Sequence, residues 1–172
     1  MIKPQRVSDL DITQDLEFHR RELRAEKIGW LLMLLVVVAA LLGVFGSGPL
    51  SKGQVRAAGG ALSAEYPRFA RYLAPAELRL TFDPAAVQEG ALHVWLSREF
   101  LDEVQVEAIT PEPDAQQLEG DRLTYTFGAR NTGEPVEVVF QLRMADIGRL
   151  PGRVGLTNTT AEELRFNTLI YP

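Results

Sequence analysis

Cysteine is absent from the 172 residues of this chain. Disulfides, cysteine-ligated zinc, iron–sulfur clusters and thiol catalysis are thereby excluded. Histidine is almost as scarce. His19 and His93 are the two present, and a long apolar run separates them, so they cannot share a site. One histidine without cysteine builds neither a metal centre nor a catalytic triad. There is no Gly-x-Ser-x-Gly elbow and no glycine loop followed by Lys-Ser/Thr to cradle phosphate. Basic excess is missing too: the formal net charge is −5, and phosphate binding needs clustered Lys and Arg, so nucleic acid is not an expected partner. Glu99, Asp102, Glu103 and Glu107, and then Glu112 and Asp114, lack the spacing and turn glycine of a calcium loop and read as solvated carboxylates. His93 shares a face with Trp95 and Ser97 and reads as a solvent-side or inter-strand pair. No cofactor and no metal is expected, and the chain reads as a non-enzyme.

What is present is a single uncharged run from Ile28 to Ser51, bracketed by Lys27 and Lys52. At about 1.5 Å per helical residue, some 18 apolar residues cross a hydrocarbon core of roughly 30 Å. The expectation is one membrane-spanning helix over 28–50. Arg20, Arg21, Arg24 and Lys27 precede it, against Lys52 and Arg56 after it. Positive flanks stay in the cytoplasm, so the N-terminus is expected inside and the larger part outside, as in an inner-membrane protein with a periplasmic or extracellular domain. A cleaved signal peptide is the alternative, with small-residue sites at Val44–Gly46 and Ala57–Gly59. The length of the N-terminal stretch, the six acidic residues within it and the length of the apolar run argue against it.

Residues 1–27 read as a cytoplasmic tail. Ile12, Leu16 and Leu23 fall at roughly helical spacing and Ser8 or Asp9 is a candidate cap, so an amphipathic helix running into the membrane helix is expected, either merely solvated or lying on the lipid surface with Phe18 dipping in. Residues 51–60 read as a linker of small residues. From 61 to 172 the period changes to two. Leu78, Leu80 and Phe82 alternate, as do Leu92, Val94 and Leu96; Val104, Val106 and Ala108; Leu123, Tyr125 and Phe127; Val136, Val138, Phe140 and Leu142; and Leu164, Phe166, Thr168 and Ile170. Short strands are also expected at Leu62–Tyr66 and Arg153–Thr157. Asp83-Pro84, Gly90, Thr110–Pro113, Gly120-Asp121, Asn131–Gly133 and Pro151-Gly152 read as turns. Seven or eight short strands without long helices between them indicate a mainly β fold, an immunoglobulin-like β-sandwich.

Lys27–Met33, Gly43–Ser51, Glu65–Phe69 and the closing Leu169–Pro172 resemble a family of short bacterial membrane proteins. The resemblance implies one N-terminal helix and an extracytoplasmic β-domain, and it carries no catalytic residue. Ile109–Pro113 followed by Leu123–Phe127 is similar to immunoglobulin-like modules, a likeness of fold alone.

Two features point to association. Ala39, Gly43 and Ser47 recur every four residues, a small-residue stripe that lets membrane helices approach or self-associate. Tyr66, Arg68, Phe69, Arg71 and Tyr72 combine aromatics with arginine, the composition of interface anchors and of headgroup contacts. Pro67 and Pro75 are expected to bound a short helix there, with Phe69 and Leu73 plugging one end of the sandwich as the alternative role. The expected function is a binding or accessory subunit for another membrane protein, in the lipid bilayer. A sensor passing a signal to the cytoplasmic helix is the second reading.

Overall fold

The structure, a computed structural model, describes residues 16–41, 51–129, 133–157 and 163–172. The expected cap at Ser8 or Asp9, Ile12, the helix-packing residues Gly43 and Ser47, and the turn at Asn131 lie outside these. The chain divides into two compact units, 1–38 and 39–172.

In the first unit, helix α1 spans Leu16–Leu41. Among the described residues no helix is long and apolar enough to cross a membrane. The uncharged part of α1 that is described runs from Ile28 to Leu41, about 21 Å at about 1.5 Å per residue. Its side chains face outward all round: Trp30, Leu31 and Leu35 are each more than 60% exposed, and Val36 and Val37 are 49% exposed.

The second unit is mainly β. Its strands are β1 (Lys52–Arg56), β2 (Leu62–Pro67), β3 (Phe69–Arg71), β4 (Pro75–Phe82), β5 (Ala91–Ser97), β6 (Val104–Thr110), β7 (Ala115–Glu119), β8 (Arg122–Gly128), β9 (Val136–Met144), β10 (Gly148–Leu156) and β11 (Glu163–Tyr171). Helix α2 (Arg98–Asp102) follows β5. One sheet has the order β1-β2-β4-β9-β6, the other β3-β11-β10-β5-β8-β7. Their inner faces share one core. Leu78, Leu80, Phe82, Val138, Phe140, Leu142 and Met144 come from the first sheet, and Leu92, Val94, Leu96, Tyr125, Phe127, Leu164 and Ile170 from the second. The Tyr125 ring meets Phe140 across the layers edge-on at 5.3 Å. Alternating burial along β4, β9 and β11 is the direct result of side chains pointing to opposite faces of a pleated backbone.

Several expectations change. Among the described residues eleven strands form, because pairing recruits segments too short or too polar to announce themselves. Residues 51–60, read from composition as a linker, contain β1, which pairs with β2 from Lys52↔Pro67 to Arg56↔Ser63. In β6 the register shifts between Val106 and Ala108. This bulge turns Ala108 outward and brings Ile109 against the core, which strict alternation cannot foresee. Pro151-Gly152 lies inside β10 and is no turn. β5 pairs only with Val154–Leu156 of β10, so Pro151 sits where that flank is open and a missing N–H does no harm. Pro67 and Pro75 do not bound a helix: they lie in β2 and β4.

Candidate interaction groove

The segment Tyr66–Leu73 leaves one sheet for the other. β2 ends at Pro67 beside β1, and two residues later β3 runs parallel to β11, with Phe69 opposite Leu169 and Arg71 opposite Tyr171. Its backbone groups are satisfied across this break. Arg68 N–H donates to the Ser51 carbonyl at 2.7 Å, and the Arg68 carbonyl accepts from Leu169 N–H at 2.8 Å. The Thr168 hydroxyl donates to the Pro67 carbonyl at 2.8 Å. Tyr72 N–H donates to Tyr171 and Leu73 N–H to Met144. These long-range bonds replace the internal bonds of the expected helix, and Leu73 is left at φ 58°.

The break opens a groove of about 640 Å³. Tyr66, Phe69, Arg71 and Tyr171 line it together with Ser51, Lys52 and outward-facing residues of the five-stranded sheet, among them Glu77, Arg79, Glu107 and Gln141. Tyr66 is fixed within it. Its ring covers Gly53 across the β1–β2 ladder and packs on Phe166 at 5.1 Å. Phe69 is half-buried and outside the core cluster, and Leu73 is 51% exposed. The residue that plugs the sandwich here is instead Ala70, 7% exposed.

Three of the five expected interface residues, Tyr66, Phe69 and Arg71, therefore line the groove. Arg68 and Tyr72 are exposed next to it. That Tyr171, Lys52 and the charged residues of the five-stranded sheet join the groove carried no sequence signal, because only the tertiary fold brings them together. Ala39 is half-buried on α1.

The groove's charges divide into paired and unpaired. Lys52 Nζ lies 2.7 Å from Glu65, which also accepts from Gln54 at 3.3 Å. The hydrogen bond from Lys52 holds the Glu65 carboxyl below its usual range, against the opposing effect of its partial burial. Arg79 pairs with Glu77 and Glu137, and Arg143 with Glu107. Arg68 and Arg71 have no ion-pair partner among the described residues. Among the described residues no group of three His, Asp or Glu converges to hold a metal. Three aromatic rings and the Arg71 guanidinium beside compensated charges can grip a protein segment or a headgroup.

Elsewhere, His93 Nδ1 lies 3.1 Å from the hydroxyl of its cross-strand neighbour Thr126. Trp95, on the same outer face, is nonetheless only 4% exposed. It lies over Gly155, and the Arg122 guanidinium stacks on it at 4.1 Å. Asp121 nearby accepts from Arg153 at 3.0 Å, which lowers its pKa.

No family model matches this chain, and no curated protein sequence does. Among solved structures, it is similar to the β-glucosidase from Listeria innocua in complex with glucose, with a TM-score of 0.38 and 11% identity over 70% of this chain and 16% of that one. It is similar also to the sulfur carrier protein SoxY from Chlorobium limicola f thiosulfatophilum, with a TM-score of 0.33 and 12% identity over 65% of this chain and 80% of that one. The chain thus spans about a sixth of the length of the glucosidase. Likeness at this level assigns no activity to the chain.

Proposed function

We propose that this protein is a non-enzymatic, single-pass membrane protein whose β-unit binds another membrane protein through the groove beside β3. The anchor reading is supported by the surface of α1. A helix that is apolar on all sides belongs in a protein core or in lipid, and every residue from Ile28 to Val38 is exposed. The uncharged sequence continues past Leu41 to Ser51, long enough to span. The basic flank before Ile28 favours an inside N-terminus and an extracytoplasmic β-unit. The likeness to short bacterial membrane proteins agrees with this reading.

An immunoglobulin-like sandwich is part of the same proposal. β2-β4-β9 in one sheet and β11-β10-β5 in the other follow the order of the A-B-E and G-F-C strands of that fold. The departure is β6. It lies next to β9 yet precedes in sequence the β7–β8 hairpin, which extends the other sheet beyond β5.

The observation that carries the binding role is the groove, lined by Tyr66, Phe69 and Tyr171 together with Arg71, which has no ion-pair partner among the described residues. The test is purification of the tagged full chain from membranes in mild detergent. A membrane protein should co-purify in constant proportion and be lost with Arg68→Glu plus Arg71→Glu, while thermal unfolding is unchanged. Co-purification indifferent to that double substitution would remove the groove from the binding role. Separately, a reporter active only outside the cytoplasm, fused after Pro172, should be active.

A further inference from the structure

Two sheets have four edges, and an edge strand is a template for another chain unless something blunts it. Three of the four are blunted here. β1 carries Lys52 and Arg56. β6 is broken by its bulge and followed by Pro111. β3 is three residues long. The fourth, β7, lies at the far side of the six-stranded sheet from β3. It has no lysine, arginine or proline, and its register is unbroken from Ala115↔Thr126 to Glu119↔Arg122. All five of its residues are exposed, and among the described residues it pairs with β8 alone.

Two features of β7 define what would fit it. Leu118 is in register with Leu123, which packs against the core, so both lie on the core side of the sheet. Leu118 is nevertheless 57% exposed, so the opposing sheet does not cover it. The second feature is charge. Glu112, Asp114 and Glu119 are exposed and have no ion-pair partner among the described residues, whereas Glu65, Glu77, Glu107 and Glu137 on the other sheet are all paired. We propose that β7 is a strand-addition site. It takes an extended segment of a partner protein, apolar at the position that meets Leu118, with Lys or Arg beside Glu112, Asp114 and Glu119. A second copy of this chain fits less well. Antiparallel pairing of two β7 strands about Gln117 would gather the carboxylates of both copies at each end of the interface, with no cation on either strand to offset them.

This site is independent of the groove, and the experiment separates them. The probe is a short labelled peptide alternating valine with lysine, titrated against the full chain in detergent micelles, with empty micelles as blank and the valine–glutamate peptide as control. Fluorescence anisotropy should show saturable binding of the lysine peptide alone, weakened about tenfold or more by Glu112→Lys with Asp114→Lys and Glu119→Lys, because those substitutions reverse the complementary field. Leu118→Lys should weaken it as well. Hydrogen exchange should slow at the Gln116–Leu118 amides on binding and stay unchanged at Phe69–Arg71. The proposal is overturned by any of four results: absence of saturable binding, equal binding by the triple variant with its circular dichroism intact, protection at Phe69–Arg71 in place of β7, or self-association of the full chain that Leu118→Lys abolishes, which would put a second copy on this edge.

Discussion

Three glycines are each covered by the aromatic ring of the residue directly across the ladder: Gly53 by Tyr66, Gly152 by Phe166 and Gly155 by Trp95. Each gap admits a flat ring close to the neighbouring backbone, and a methyl group there would collide with ring carbons. Gly152→Ala should therefore cost about 1–3 kcal/mol in urea unfolding, because Phe166 is wedged between Tyr66 and Phe100 and has nowhere to move. Phenylalanines differ by position in the same way. Phe140→Ala removes a fully buried ring and should cost about 3–5 kcal/mol. Phe69→Ala should cost under about 1 kcal/mol, since that ring lies outside the core, and a cost like that of Phe140 would return Phe69 to a packing role. Acid sensitivity also belongs to single residues. Lys52 and Arg153 hold Glu65 and Asp121 below the usual carboxylate range. Their contribution is complete above the unfolded-state value and is lost as pH falls through the folded one. Glu103 works oppositely: desolvation and then the nearby Asp146 raise its pKa, so protonation relieves it in acid. The thermal midpoint should decline as pH falls through the carboxylate range, and Glu65→Gln should shallow that decline; an unaltered slope would show that the Lys52–Glu65 pair contributes nothing.

At the scale of elements, β1 and the β2–β3 break determine where the groove forms. β1 buries Gly53 and lies under Tyr66, and the residues flanking it, Ser51 and Ala57, are buried too. A fragment starting at residue 61 should accordingly be less stable than one starting at 51, by about 2 kcal/mol or more from the apolar surface uncovered on β2, as read by chemical denaturation. Equal stability would reduce β1 to an appendage. Thr168 is 1% exposed, and its hydroxyl ties β11 to the last residue of β2. The alternating pattern reveals the inward side of β4, β5, β9 and β11 because burial on one face leaves a period of two in the residues themselves. β6 escapes after Val106, where one extra residue inverts the pattern. β3 escapes altogether, since three residues carry no period.

For the whole molecule, a chain without cysteine must hold an exposed β-unit by packing alone. Residues 51–172 expressed without α1 should be soluble, β-rich by circular dichroism and indifferent to reducing agent, whereas the full chain should require detergent. A full chain that stays monomeric in buffer without detergent would refute the membrane reading of α1. The sequence by itself determined what depends on local pattern: the apolar run, the absence of cysteine, the β class, and the inward residues of the regular strands. It also marked Tyr66, Phe69 and Arg71 through their unusual company. Only the tertiary structure decided that Tyr66–Leu73 is two strands and not a helix, that Tyr171 and Lys52 join them, and that β7 is the unguarded edge. The reason is the same each time. The partners that satisfy these segments, such as Leu169 for Arg68 and Tyr171 for Tyr72, lie about a hundred residues away in sequence, and such long-range pairing leaves no trace in the neighbouring residues.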